Sequence, residues 1–348
     1  MTKKKVLIVD DSQLIRSILT EIINSAGDLQ VVGTAIDPYD AREKIKSLLP
    51  DVITLDIEMP KMDGISFLKN LMRLRPMPVV MISTLTEKGA PATLEALALG
   101  AVDYIAKPKA NEANALNAYA NDIIEKVRVA ANANVQAPTR NTDPGKQPRS
   151  GVQMEFRNDA CIAIGASTGG TEAIKEVLMS MPVNCPPIVI AQHIPPVFST
   201  TFAERMNRTC GITVKEAQSG DILAPGIAYL APGDDHLLLK RKGGQYVCEL
   251  SKAEPVNRHR PSVEVLFDSV ASVVGEKSVA ALLTGMGADG AAALLRLKQA
   301  GAFTIAQDEQ TSVVWGMPGV AVKLGAAEKV LPLKQVGRAL LGQCLQKK

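Results

Sequence analysis

Short aliphatic and β-branched runs recur along this chain at intervals of about one helix, and that alternation limits the possible folds more than any other feature. In the first third the runs lie at 6–9, 31–35, 52–55, 79–82 and 102–105. Each is continuous in apolar character, the pattern of a strand buried on both faces. Behind Ser12, a candidate N-cap, Leu14, Ile15, Ile18, Leu19, Ile22 and Ile23 repeat at helical spacing. Further helical stretches are expected at 38–48, 64–73, 91–99 and 114–128. Five strands alternating with five helices predict a doubly wound parallel sheet. The rhythm breaks over 130–158, where three prolines and two glycines sit among polar residues. It resumes with strands expected at 161–164, 188–191, 279–283 and 303–306, and with helices near 169–179, 197–208, 262–274 and 290–300. Residues 212–250 hold shorter strand candidates at 228–230 and 237–240, next to Pro-Gly turns at 225–226 and 232–233. The fold class is therefore α/β, with two doubly wound parallel-sheet domains, the second Rossmann-like with a β-rich insertion. The expected division is a first domain over 1–127, a linker over 128–156 and a second domain over 157–348.

Composition excludes several partners. Lys and Arg number 39 against 36 Asp and Glu, without a long basic run, which argues against a nucleic-acid binder. Aromatics at 3% leave little with which to stack bases or sugars. The five cysteines are odd in number and contain no C-x-x-C pair, as expected of reduced thiols. No apolar stretch approaches the ~18 residues of a membrane helix. Lys3, Lys4 and Lys5 precede only four apolar residues before Asp10 and Asp11 interrupt, too short a core for a signal peptide. A cytoplasmic protein with no direct membrane insertion is expected.

Ligands of an open parallel sheet gather at the carboxyl ends of its strands. Asp10 and Asp11 follow the first expected strand, Asp56 follows the third, Ser83 ends the fourth, and Lys107 follows the fifth. Taken singly, each acid reads equally well as a turn or cap residue. Taken together, clustered carboxylates favour a hard divalent cation, a lysine pairs with anionic oxygens, and a serine hydroxyl bonds one of them. Those are the requirements for phosphorylating a carboxylate. With the LDIEMPKMDG stretch at 55–64, residues 4–125 resemble the flavodoxin-like receiver of response regulators. The resemblance implies Asp56 as phospho-acceptor and Mg²⁺ held by Asp10, Asp11, Asp56 and the main-chain carbonyl of Glu58. It also implies Lys107 as the contact to the phosphoryl group, Ser83 and Tyr104 as a switch pair, and a cis bond before Pro108.

In the second half, Gly165-Ala-Ser167-Thr-Gly169 fits G-x-S-x-G between an expected strand and an expected helix. That is the setting of a nucleophile elbow, and equally of an ordinary phosphate loop. Of three histidines, His193 follows the next strand, where an imidazole is placed to act as base or to serve as a satisfied structural residue. His236, beside Asp234 and Asp235, reads as structural or solvent-facing. His259, flanked by Arg258 and Arg260, reads as a substrate-binding candidate. Asp289 follows the strand at 279–283 and is a candidate to orient His193. The Met286 N–H is a candidate oxyanion donor, with Thr168 beside the nucleophile as support. The order Ser, His, Asp differs from that of α/β-hydrolases. A competing reading stands beside this one: Gly285, Gly287 and Gly290, with Asp308 farther on, approximate a dinucleotide fingerprint. Asp289 would then bring a carboxylate towards a pyrophosphate.

The segments IGASTGG, AQHIPP, NRHRPSV, LTGMGADG and AQDEQTSVVWGMP, across 162–318, closely resemble the catalytic domain of chemotaxis protein-glutamate methylesterases. With the receiver in front, the resemblance spans the whole chain. It implies Ser167 as nucleophile, His193 as base and acid, Asp289 as orienter, and no cofactor for the hydrolase. The implied substrates are γ-glutamyl methyl esters on the cytoplasmic region of methyl-accepting chemoreceptors, with glutamine deamidation by the same route in many relatives. The implied partner is the histidine kinase of the chemotaxis system, and the implied state is a monomer. The alternative is a response regulator whose second domain binds a nucleotide or protein without hydrolysis.

Overall fold

The computed structural model describes residues 2–59, 62–83, 86, 89–107, 116–135 and 155–346, without the side chains of 116–118. It divides into two compact units, Met1–Thr139 and Arg140–Lys348. Residues 136–154 of the expected linker, and Pro108, lie outside the described residues.

In the first unit, β1 (Lys4–Val9), β2 (Leu29–Ala35), β3 (Val52–Asp56), β4 (Val79–Ser83) and β5 (Asp103–Ala106) alternate with α1 (Gln13–Ser25), α2 (Pro38–Leu48), α3 (Gly64–Leu74), α4 (Ala90–Ala98) and α5 (Leu116–Ala130). The strands pair in parallel in the order β2-β1-β3-β4-β5. β3 and β4 are buried at every residue, as continuous apolar runs require when helices cover both faces. The chain turns outward to β2 on one side of β1 and to β3 on the other, so the crevice at their carboxyl ends is a topological switch point. Ser12 caps α1, accepting from the Ile15 N–H at 3.5 Å, and Asp63 caps α3, accepting from Ser66 N–H at 2.7 Å. Helix α5 continues to Ala130, past the expected boundary at 127.

The second unit carries β6 (Cys161–Ala166), α6 (Gly170–Met179), β7 (Ile188–Gln192), α7 (Pro196–Thr209), β8 (Thr213–Glu216) and β9 (Ile227–Leu230). The hairpin β10 (His236–Lys242) and β11 (Gln245–Ser251) follows. Then come α8 (Val263–Val273), β12 (Ser278–Leu282), α9 (Ala291–Gln299), β13 (Phe303–Gln307), α10 (Met317–Lys323), β14 (Lys329–Leu331) and α11 (Leu333–Cys344). Seven parallel strands take the order β14-β13-β12-β6-β7-β9-β8. Again the first strand, β6, has neighbours from opposite directions of chain travel, β7 and β12, which places a second switch point at Ser167.

The stretch expected as a β-rich insertion is only partly one. β8 and β9 extend the parallel sheet, and β10–β11 alone form a separate antiparallel pair. β8 (TVKE) and β14 (KVL) are short edge strands, so the apolar signal that marks interior strands is missing from them. The chain at 155–157 already belongs to this unit: Arg157 N–H donates to Cys344 O at 2.9 Å, and Gln346 N–H to Glu155 O at 3.0 Å. All five cysteines are free and four are buried; burial pushes the Cys344 thiol up to about 12. Among the described residues no helix is long and apolar enough to cross a membrane.

Candidate active site and acidic pocket

The switch point of the first unit gathers the expected acids. Side-chain oxygens of Asp10, Asp11 and Asp56 lie within 4.8 Å of one another. Lys107 Nζ sits 2.8 Å from Asp56 Oδ1 and 3.8 Å from Asp10 Oδ2. Glu58 N–H reaches Asp56 Oδ1 at 3.4 Å. Asp10 Oδ2 and Asp56 Oδ2 are buried without a hydrogen bond, an arrangement that is costly unless a cation or an incoming group completes it. Burial raises the pKa of Asp56 to about 6, with the nearby Asp10 adding to the rise and Lys107 opposing it. Burial likewise raises Asp10, against the Ser12 N–H and Lys107. Oxygen-only donors of this kind fit a hard divalent cation such as Mg²⁺. The LDIEMPKMDG turn holds Asp56 closely: Gly64 N–H donates to Ile57 O at 2.9 Å, and a Cβ on Gly64 would lie 2.0 Å from the Asp56 carbonyl. Asp56, Glu58, Ser83 and Lys107 line one open cavity of about 500 Å³. The Ser83 hydroxyl is paired with that of Thr93 on α4 at 2.7 Å, a partner the sequence does not reveal. Tyr104 packs into the core, with Lys126 Nζ 5.3 Å from its ring centre.

At the second switch point, Ser167 stands between β6 and α6. Its N–H donates to Thr284 O at 3.0 Å, tying the turn to the end of β12. A Cβ on Gly170 would lie 2.1 Å from Gln192 Oε1 and 2.7 Å from Ala166 Cβ, so no side chain fits there. Gln192, the last residue of β7, donates from Nε2 to Ser167 O at 2.9 Å and to His193 O at 3.2 Å, joining the two loops. His193 Nδ1 lies 3.0 Å from Ser167 Oγ, and its Nε2 lies 2.8 Å from Asp289 Oδ2. An ionised carboxylate only accepts, so Nε2 carries the hydrogen and Nδ1 is left to accept from the serine hydroxyl. Ser167, His193 and Asp289, the candidate nucleophile, base and orienter, thus form one hydrogen-bonded line.

Asp289 is held by the start of α8. Its Oδ2 accepts from Val263 N–H at 2.6 Å, and its Oδ1 from the Ser262 hydroxyl and Asn257 Nδ2, each at 2.8 Å. Burial alone would raise its pKa; His193, Asn257 and Ser262 overturn that and hold it at about 2. The helix N-terminus favours the same charge. His236 is buried and structural, not solvent-facing: its Nδ1 accepts from Ser262 N–H at 3.2 Å and its Nε2 donates to Glu254 O at 3.1 Å. It thereby fixes the residue that cradles Asp289. His259, a substrate-binding candidate, stacks on His193, with ring centres 3.6 Å apart. Gly285 lies against the nucleophile, since a Cβ there would be 2.8 Å from Ser167 Cβ. The N–H of the next residue, Met286, makes no hydrogen bond among the described residues. Thr168 is buried, and its carbonyl accepts from the Thr284 hydroxyl at 3.0 Å.

The dinucleotide reading loses its ground here. Asp289 turns inward to His193, and Glu264 Oε2 accepts from Gly290 N–H at 3.3 Å in front of α9. Carboxylates stand where a pyrophosphate would need donors. Asp308 caps its own loop, accepting from Thr311 N–H at 3.0 Å.

Comparison with known proteins agrees with this geometry. The family model for CheB methylesterase matches residues 162–340, and that for the response regulator receiver domain matches residues 6–121. The protein-glutamate methylesterase/protein-glutamine glutaminase of Nitrosomonas europaea is 54% identical over 99% of this chain and 97% of its own length. A second such protein, from Saccharophagus degradans, is 56% identical over 98% of this chain and 99% of its own. The chain belongs to the CheB methylesterase family. The crystal structure of the Thermotoga maritima CheB methylesterase catalytic domain superposes with a TM-score of 0.52 at 39% identity, covering 53% of this chain and 97% of that one. Within this CheB-family chain, the residues that the motifs leave without a role are Asn257, Ser262, Gln192 and Thr93. Asn257 and Ser262 lie in the NRHRPSV segment, but nothing in their spacing tells that they converge on an acid at position 289.

Proposed function

We propose that the chain is a phosphorylation-regulated protein-glutamate methylesterase acting on methyl-accepting chemoreceptors, with Ser167 as nucleophile. The observation that carries the reading is the line Ser167–His193–Asp289, with contacts of 3.0 and 2.8 Å. Ser167 Oγ attacks the ester carbonyl carbon while His193 Nδ1 takes the hydroxyl proton. Asp289 stays ionised and stabilises the resulting imidazolium. The developing oxyanion is met by the N–H group of Met286, with Thr168 beside the nucleophile as support. His193 returns the proton to the departing methoxide, methanol leaves, and a glutamyl ester on Ser167 remains. Water, deprotonated by His193, then releases the glutamate carboxylate and frees Ser167. The same route on a γ-carboxamide releases ammonia, which supports glutaminase activity as well.

In the receiver unit, Asp56 is the phospho-acceptor and a chemotaxis histidine kinase the donor. Asp10, Asp11 and Asp56, with the Glu58 carbonyl, would hold Mg²⁺, which when bound offsets the clustered negative charge. Lys107 is placed to bond the phosphoryl oxygens, and Ser83 to exchange Thr93 for one of them, with Tyr104 following as the second switch residue. We place the protein in the cytoplasm, as a monomer whose hydrolase needs no cofactor. The test is methanol release from methylated receptor membranes by the purified protein. S167A loses activity by about three orders of magnitude or more; near-normal turnover in that variant overturns the reading.

A further inference from the structure

One contact at the triad is not explained by the chemistry of its three members. The imidazole of His259 lies flat on that of His193, with centres 3.6 Å apart and planes 14° from parallel. We propose that the turn from Val256 to His259 is a positioning element for the general base, with His259 fixing the plane of the His193 ring and Asn257 fixing the carboxylate behind it. This rests on the reading of Ser167, His193 and Asp289 given above.

The turn is closed by two backbone hydrogen bonds, Val256 N–H to His259 O at 3.1 Å and His259 N–H to Val256 O at 2.9 Å. Its two central residues, Asn257 and Arg258, have φ of 52° and 69°. Two-residue turns with positive φ at both centres form tight hairpins, and asparagine suits the left-handed region where arginine does not. This tight geometry presents residues on either side of Arg258 to the same triad: Asn257 Nδ2 donates to Asp289 Oδ1 at 2.8 Å, and His259 covers His193.

His193 needs that cover for a geometric reason. Its hydrogen bonds to Ser167 and Asp289 both leave through ring nitrogens and so lie in the ring plane. They set the direction of the ring edge, but they oppose tilting about the line that joins them only weakly. A flat group at 3.6 Å on one face opposes it directly. The same face also favours the cation that forms when His193 takes the serine proton, because a positive charge is attracted to a π surface. Both effects require a flat ring, and neither requires His259 to titrate.

The experiment measures kcat and KM for methanol release with the full-length protein. H259A removes the ring, H259L keeps its bulk without a flat face, and H259F keeps a flat face without a titrating group. H259A and H259L are expected to lose about tenfold or more in kcat with KM within about twofold, and H259F to stay within about threefold of wild type. An unchanged kcat in H259A, a spared H259L, or an H259F as damaged as H259L each overturns the positioning role. Where H259A fails to fold, H259L against H259F decides. S167A in the same assay keeps the two proposals apart. Activity that survives S167A overturns the nucleophile, whereas an inactive S167A alongside an indifferent H259L overturns only the role of His259.

Discussion

Asp289 shows what one residue contributes when every oxygen lone pair is used. It accepts from His193, Asn257, Ser262 and the first backbone N–H of α8, and its pKa is held at about 2. Its folded-state value lies below the ordinary 3.8. The stability it contributes is therefore present above about pH 4 and is lost as pH falls through about 2. Chemical denaturation at about pH 5 and about pH 2.5 is expected to show wild type losing about 1–2 kcal/mol more than D289N across that interval. At neutral pH the same variant is expected to lose about three to four orders of magnitude in kcat, because an amide can donate to His193 and favour the wrong tautomer. At this scale Ser167, His193 and Asp289 were legible as types that follow strands. Asn257 was not, since its use depends on convergence with an acid 32 residues further along the chain.

At the scale of elements, the β6–α6 turn is tightly constrained by packing. Gln192 bonds the Ser167 carbonyl, Gly169 packs against Val313 and Thr284, and Gly170, against Gln192 and Ala166, has no room for a methyl group. G170A is expected to destabilise the protein by about 1–3 kcal/mol in urea titration. Its residual folded fraction is expected to turn over more slowly, because the clash displaces Gln192, which holds both the Ser167 and His193 loops. Strands and helices with strong periods were readable, α2 at 38–48 to the residue. β8 and β14 were not, because a short edge strand carries no continuous apolar run. Helix α11 keeps a clear apolar face in Val336, Leu340, Leu341 and Cys344.

At the scale of the whole molecule, two switch points of the same kind carry two different chemistries. The first gathers acids and a lysine, the second a serine, a histidine and one acid whose charge is already satisfied. Among the described residues, only the first therefore has buried carboxylate oxygens left without hydrogen bonds, at Asp10 and Asp56. Mg²⁺ is expected to raise the thermal midpoint of the wild type measurably and to do so much less in D10N, as ligand binding to the folded state alone requires. With Mg²⁺ present, a small phosphodonor is expected to raise methanol release by the wild type and to leave D56N without any rise. An equal response in D56N would place the phosphorylated group elsewhere.

Alternating apolar runs, the glycine-flanked serine, the histidine after the next strand and the acids at strand ends determined the fold class, the two-unit plan and the candidate triad by themselves. These features are local: burial on both faces, helical period and turn chemistry are each written within a few neighbouring residues. Tertiary structure alone decided that His193 bonds both Ser167 and Asp289, that His236 is buried as a strut, and that His259 lies flat against His193. Those roles join residues far apart in the chain, His193 with Ser167 and Asp289, Ser262 with His236. Such convergence depends on strand order and loop course, and no periodicity within a segment encodes it.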